Sequence, residues 1–205
     1  MIEIKNLSKT YKGESLYHDF SCSFEENKVN VIMGSSGSGK TTLFRMMLGL
    51  EKYDSGKILG LNHQNKAVVF QEDRLIEDLN VYENIDFVLK SYIDKKERDQ
   101  QIKSVLELVE LGDYRDYPIK NLSGGMQRRV AIARALVCKE SILFMDEPFK
   151  GLDDELKFRI LLKLKRRWQE DGTTVFYITH DQQEGIWMGD IVYKLTKKPV
   201  KFYKI

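Results

Sequence analysis

The 205-residue sequence predicts an α/β fold: a mainly parallel core sheet flanked by helices, an N-terminal antiparallel β subdomain, and an α-helical subdomain inserted at about residues 72–122. Three observations carry this expectation. An apolar run at 29–33 leads into Gly34-Ser35-Ser36-Gly37-Ser38-Gly39-Lys40-Thr41 and then into the helix-patterned stretch 42–48. Short strand-like pieces alternate with turns over the first 24 residues, and from Leu122 onward helices alternate with short apolar strands. The length suits one domain over residues 1–205, with a core large enough to need no disulfide staples.

In chain order, residues 2–5 and 21–24 read as strands of an antiparallel sheet, and 29–33 as the strand that feeds the glycine-rich loop. Asp54-Ser55-Gly56 reads as a turn, and Ala67-Val68-Val69-Phe70 as a short buried strand ending at Gln71. Asn80 caps a helix to about Leu89, and Ile102, Val105, Leu106 and Val109 share one face of a second helix that stops at Gly112. A helix from about Gly125 to Val137 precedes the run 141–146, which is apolar and short enough for a fully buried parallel strand. Residues 154–170 have helical spacing with Gly172 as the stop. Residues 174–178 form a β-branched and aromatic strand, and 191–205 hold two more short strands.

Composition excludes several classes. Lys+Arg 33 against Asp+Glu 31 gives a net charge of +2, too balanced for a phosphate-backbone partner, so no nucleic acid is expected. Two cysteines, Cys22 and Cys138, lack metal or redox spacing and read as ordinary thiols in a reducing compartment. The start has no basic-then-apolar leader and no stretch is long enough to cross a bilayer, so a cytoplasmic protein is expected. The cluster Lys163, Lys165, Arg166 and Arg167 reads as the solvated face of its helix.

The glycine-rich loop is a phosphate cradle by its chemistry. Glycines let several N–H groups turn inward, and the following helix adds its positive dipole end. Lys40 then reaches the β- and γ-phosphates, and the hydroxyl of Thr41 suits Mg²⁺. An apolar strand ending in Asp146-Glu147 is the natural partner: Asp146 can hold the hydration shell of Mg²⁺, and Glu147 can take a proton from an attacking water. Leu122-Ser123-Gly124-Gly125-Met126-Gln127 opens the helix before that strand and reads either as a serine cap with permissive glycines or as a second anion-binding element.

Together these motifs, in order with Gln71, Gly151-Leu152-Asp153 and His180, closely resemble the ATP-binding cassette (ABC) ATPases over essentially the whole chain. The resemblance implies a P-loop NTPase core and two nucleotide-binding domains facing head to tail, a second copy or a paralogue completing the pair. Each ATP then lies between one subunit's loop and the other's signature. On this reading Gly34, Ser35, Ser36, Gly37, Ser38, Gly39, Lys40, Thr41 and Thr42 bind ATP, and Tyr11 stacks on adenine. Ser123, Gly124, Gly125 and Gln127 act on the opposite subunit's nucleotide. Glu147, His180 and Gln71 are catalytic; Thr41, Gln71 and Asp146, the last through water, serve Mg²⁺; Asp153 couples the two sites.

The resemblance further implies a separate membrane permease that contacts the Gln71 region. Leu75, Ile76, Leu79 and Tyr82 either line that contact or pack inside the helical subdomain. Residues 68–75 and 80–85 resemble the importers of nitrate, sulfonate or taurine type solutes, which work with an extracytoplasmic binding protein. The chain is then expected on the inner face of the membrane, held there by the permease, without a regulatory C-terminal domain or fused membrane segment. A soluble non-transport ATPase acting on ribosomes or DNA, an exporter ATPase and a small-molecule phosphotransferase are the competing readings. Lys150 departs from the family, which commonly has a small residue or glycine there; it either pairs across the dimer or points into water.

Overall fold

The computed structural model describes all residues except 62–64, 92, 139, 197–199, 201 and 205. His63 and Ile205 therefore lie outside the described residues. Two sheets organise the fold. A three-stranded antiparallel sheet has the order β2-β1-β4, from β1 (Ile2–Tyr11), β2 (Glu14–Phe24) and β4 (Ser55–Leu59). A six-stranded sheet has the order β5-β6-β7-β3-β8-β9, with β3 (Val29–Met33), β5 (Lys66–Val69), β6 (Ile142–Asp146), β7 (Thr174–Thr179) and β8 (Ile191–Leu195) parallel and β9 (Phe202–Lys204) antiparallel.

The period of two along the parallel strands divides the core. In β6, Leu143 and Met145 join Val31, Met33, Val175 and Tyr177 on one face, under α4 (Gly124–Leu136) and α5 (Asp154–Asp171). Ile142 and Phe144 join Ile32, Phe176 and Ile178 on the other, against α1 (Lys40–Met47) and the antiparallel sheet. Burial on both faces explains why these strands are apolar throughout rather than alternating. The stacked Phe144 and Phe176 rings, 4.8 Å apart, knit adjacent strands on the α1 side.

Between β5 and α4 lie α2 (Val81–Leu89) and α3 (Lys95–Leu108). Asn80 and Glu83 form a reciprocal capping box that starts α2, and Asp94 caps α3. Ile102, Val105, Leu106 and Val109 are all buried, as their spacing requires, although the helix ends at Leu108 and Gly112 opens a short 3₁₀ turn. The last helix, α6 (Gln182–Met188), is pressed onto the parallel sheet, where a Cβ on Gly185 would meet the sulfur of Met33 at 2.7 Å.

Asp54-Ser55-Gly56 is not a turn. Ser55 and Gly56 begin β4, and the Asp54 N–H donates to the Ser8 carbonyl at 2.8 Å. Glycine is needed at 56 because φ is 105° and a Cβ there would lie 2.6 Å from the Asn6 carbonyl, a close strand approach rather than a reversal. The basic cluster on α5 is also less solvated than its composition suggests. Lys165 donates to the Trp187 carbonyl at 2.6 Å and Arg167 to that of Leu136 at 2.9 Å.

Candidate active site

The glycine-rich loop joins the C-terminal end of β3 to α1, and its shape is set by two left-handed glycines, Gly37 (φ 76°) and Gly39 (φ 97°). Lys40 is buried and its ammonium folds over the loop, donating to the carbonyls of Gly34 at 2.7 Å and Ser35 at 3.0 Å. Burial lowers its pKa, opposed by the nearby carboxylates of Glu147 and Asp146. Ser38 is 1% exposed and its hydroxyl lacks a hydrogen-bond partner, an orphan donor that a phosphate oxygen would satisfy. Ser35, Ser36 and Gly37 are exposed along the rim, and Thr42 is half-buried on the first turn of α1.

Thr41 and Asp146 come together across 105 residues: the Thr41 hydroxyl donates to Asp146 Oδ2 at 2.7 Å. Burial raises the Asp146 pKa, and the Thr41 bond works against that. Both residues face a cavity of about 450 Å³ that is also lined by Gln71 and Lys150. Hydroxyl, carboxylate and amide oxygens are the donor set a hard divalent cation takes, so these three residues fit Mg²⁺.

Glu147 follows β6 in a left-handed conformation (φ 46°), an uncommon state for a side chain that is held by its N–H bond to the Ile178 carbonyl at 3.0 Å. Its Oε1 lies 3.0 Å from Nδ1 of His180, and its Oε2 lies 3.7 Å from the Lys150 ammonium. Lys150 is thus 60% exposed at its side chain yet drawn to a carboxylate of its own chain, a third arrangement beyond a cross-dimer pair or a purely solvated head. His180 directly follows β7 at 63% side-chain exposure, accessible from outside.

The other predicted residues are spread around this centre. Ser123 is exposed at the start of α4, its hydroxyl accepting the Met126 N–H at 3.3 Å, and open space surrounds a Cβ built at Gly124 or Gly125. Gln127 turns inward: its amide nitrogen donates to the carbonyls of Ile119 at 3.1 Å and Leu122 at 3.2 Å, securing the turn before the helix. Asp153 is exposed and caps α5 through the N–H groups of Glu155 and Leu156. Tyr11 ends β1 at 43% exposure, with the Lys9 ammonium 4.6 Å from its ring centroid. Leu75 and Tyr82 pack against the core while Ile76 is 37% exposed, so that apolar set divides between packing and surface.

Two residues that sequence reasoning passed over support the site. Tyr17 on β2 donates to the Gly39 carbonyl at 3.1 Å, tying the antiparallel sheet to the phosphate loop. Arg128, 5% exposed on α4, donates to the carbonyls of Phe70, Gln71, Asp146, Glu147 and Pro148 and to the carboxylate of Asp73. One guanidinium therefore fastens the end of β5 and the end of β6 to the helix that Ser123 begins. An arginine on the otherwise apolar buried face of α4 was the available clue.

A family model described as ABC transporter matches residues 17–150. A spermidine/putrescine import ATP-binding protein, PotA of Fusobacterium nucleatum, is 37% identical over 199 residues, covering 92% of this chain and 53% of its own. The chain thus spans about half the length of that curated relative. The dimeric post-hydrolysis structure of the ATP-binding cassette MJ0796, bound to ADP and Pi, superposes with a TM-score of 0.87 at 30% identity, covering 100% of this chain and 98% of that one. The structure of cbiO1 from Clostridium perfringens, part of the ABC transporter complex cbiONQ, has a TM-score of 0.82 at 27% identity, covering 94% and 83%.

Proposed function

The chain belongs to the ABC transporter family, and on that premise we propose that it is the ATP-binding, ATP-hydrolysing subunit of a transport machine, most simply an importer. Two copies, or one copy and a paralogue, clasp two ATP molecules and drive a separate membrane permease. The observations that carry this reading are an exposed rim on the phosphate loop and, separately, an accessible start of α4 at Ser123 and Gly124, with open space around a Cβ at Gly124 or Gly125: in this reading each is half of a site that a facing copy completes. No helix among the described residues is long and apolar enough to cross a membrane. The proposed place of the chain is the inner face of the cell membrane, held there by the permease.

In this reading the phosphate-loop N–H groups, Lys40 and Ser38 hold the β- and γ-phosphates, and Tyr11 offers its open face to adenine. Thr41, Gln71 and Asp146 would hold Mg²⁺, which when bound offsets phosphate charge. The facing copy's signature turn adds N–H and hydroxyl donors to the γ-phosphate, whose charge spreads in the transition state. Glu147 takes the proton of the attacking water as its oxygen bonds to the γ-phosphorus and the bond to the ADP oxygen breaks. His180 holds the Glu147 carboxylate in place at 3.0 Å and steadies that geometry. Asp153, exposed as the cap of α5, would meet the other copy and couple the two sites.

An extracytoplasmic binding protein would complete an importer. The sequence resembles the nitrate, sulfonate and taurine group, whereas the relative named above carries a polyamine-import name. We assign this chain the motor and leave the solute to its permease and binding protein. Purified protein with its co-purified permease should release phosphate from ATP and form an ATP-dependent dimer on sizing. Absence of both in that complex would overturn the reading.

A further inference from the structure

We propose that Lys157 is a positioning residue for His180, fastening the turn that carries the histidine to the first turns of α5; this rests on the function proposed above. The Lys157 ammonium is 17% exposed at its side chain and meets three carboxylates: Asp154 at 3.0 Å, Asp181 at 3.5 Å and Glu184 at 3.5 Å. Asp154 opens α5 next to the cap residue Asp153, whereas Asp181 follows His180 directly and caps α6. Glu184 is 8% exposed at its side chain and its other oxygen accepts the Tyr177 hydroxyl at 2.6 Å. One lysine thus bridges the start of α5 to both anchors of the His180 turn.

The arrangement is more than helix packing. Phe158 and Trp187, with ring centroids 4.9 Å apart, and the Lys165 bond to the Trp187 carbonyl at 2.6 Å already hold α5 against α6. Lys157 adds a contact at the end of α6 nearest the site, where Glu147, Asp154, Lys157, His180, Asp181 and Glu184 line one cavity of about 210 Å³. Without its ammonium, three carboxylates remain in one pocket and repel one another, so the His180 turn moves while the helices stay docked. Any displacement of Asp153 by a facing copy would likewise reach His180 through this lysine.

The test uses Lys157→Met, Lys157→Arg, His180→Ala and the double variant Lys157→Met/His180→Ala in the permease-bound protein. Lys157→Met should lower kcat about tenfold with KM for ATP little changed, Lys157→Arg should restore most of the loss, and in the His180→Ala background Lys157→Met should cost nothing further. Equal loss in both backgrounds, or parental kcat in Lys157→Met, overturns the proposal. Should Lys157→Met not fold, Glu184→Gln cuts the same tie from the other end and must follow the same pattern. Imidazole NMR of the nucleotide-free protein separates this proposal from the functional reading. The His180 resonances should shift in Lys157→Met whether or not the protein hydrolyses ATP, and unchanged resonances count against the tie.

Discussion

Glu147 Oε1 and His180 Nδ1 meet at 3.0 Å although 33 residues separate them in the chain. The meeting follows from strand register. β6 and β7 run parallel with Asp146 opposite Ile178, so the residues just beyond each strand emerge together at the edge where the phosphate loop also lies. Active-site chemistry at the C-terminal edge of a parallel sheet is the expected consequence of that topology.

Glu147→Gln should keep ATP affinity while lowering turnover by about 10²–10⁴-fold, because on the proposed mechanism the proton acceptor is lost and the phosphate contacts remain. ATP should then trap a dimer on size-exclusion chromatography. Turnover at the parent rate would remove Glu147 from the role of base.

Ser123→Arg should abolish hydrolysis and leave ATP binding by the separate monomer intact if, as proposed, the serine acts on a neighbour's nucleotide. The lost cap on the Met126 N–H should cost about 1 kcal/mol of stability, visible as a small drop in melting temperature. Binding titrations on monomer and steady-state phosphate release read the two effects separately.

Arg128→Met should destabilise the fold by about 3–5 kcal/mol, because the Asp73 carboxylate and five carbonyls lose their shared donor. The denaturant midpoint measures it. A loss below about 1 kcal/mol would mean that water replaces the guanidinium at little cost.

Gly39→Ala should weaken ATP binding and lower stability by about 1–2 kcal/mol, since φ is 97° and the new methyl would lie 2.8 Å from the Tyr17 hydroxyl. Calorimetric titration with ATP and thermal melts together test whether the loop is disturbed.

Burial pushes the Glu140 carboxyl up to about 8 from its ordinary 4.5, and one of its oxygens is buried without a partner. The cost of keeping it ionised is fully present above pH 8, falls as the folded state takes up a proton below that, and is gone below 4.5. Glu140→Gln should therefore stabilise the protein by roughly 2–4 kcal/mol above pH 8, with the gain shrinking steadily toward pH 5. Denaturant midpoints across that range would show it, and a pH-independent gain would exclude the buried carboxyl as its cause.

Much of this was legible in the residues. Gly34 to Thr41 and Asp146-Glu147 are contiguous motifs whose spacing dictates backbone shape, and the Asn80–Glu83 capping box or the Gly172 stop act within one helical turn. Residue 56 misled because a glycine with positive φ serves a turn and a close strand contact equally well in sequence, and only the neighbouring strand distinguishes them.

By itself the sequence determined most of the order of strands and helices, though not β4 or α6, together with the phosphate loop, the acidic strand end and the helix–strand alternation that buries the central strands. Sheet order and packing decided that Thr41 faces Asp146, that Glu147 sits between His180 and Lys150, and that Arg128, Tyr17 and Lys157 hold the site together. The division has a physical cause. Local motifs act through backbone torsions and hydrogen bonds a few residues apart, whereas these pairs form only after hydrophobic burial has chosen β5-β6-β7-β3-β8 and brought distant strand ends to one edge.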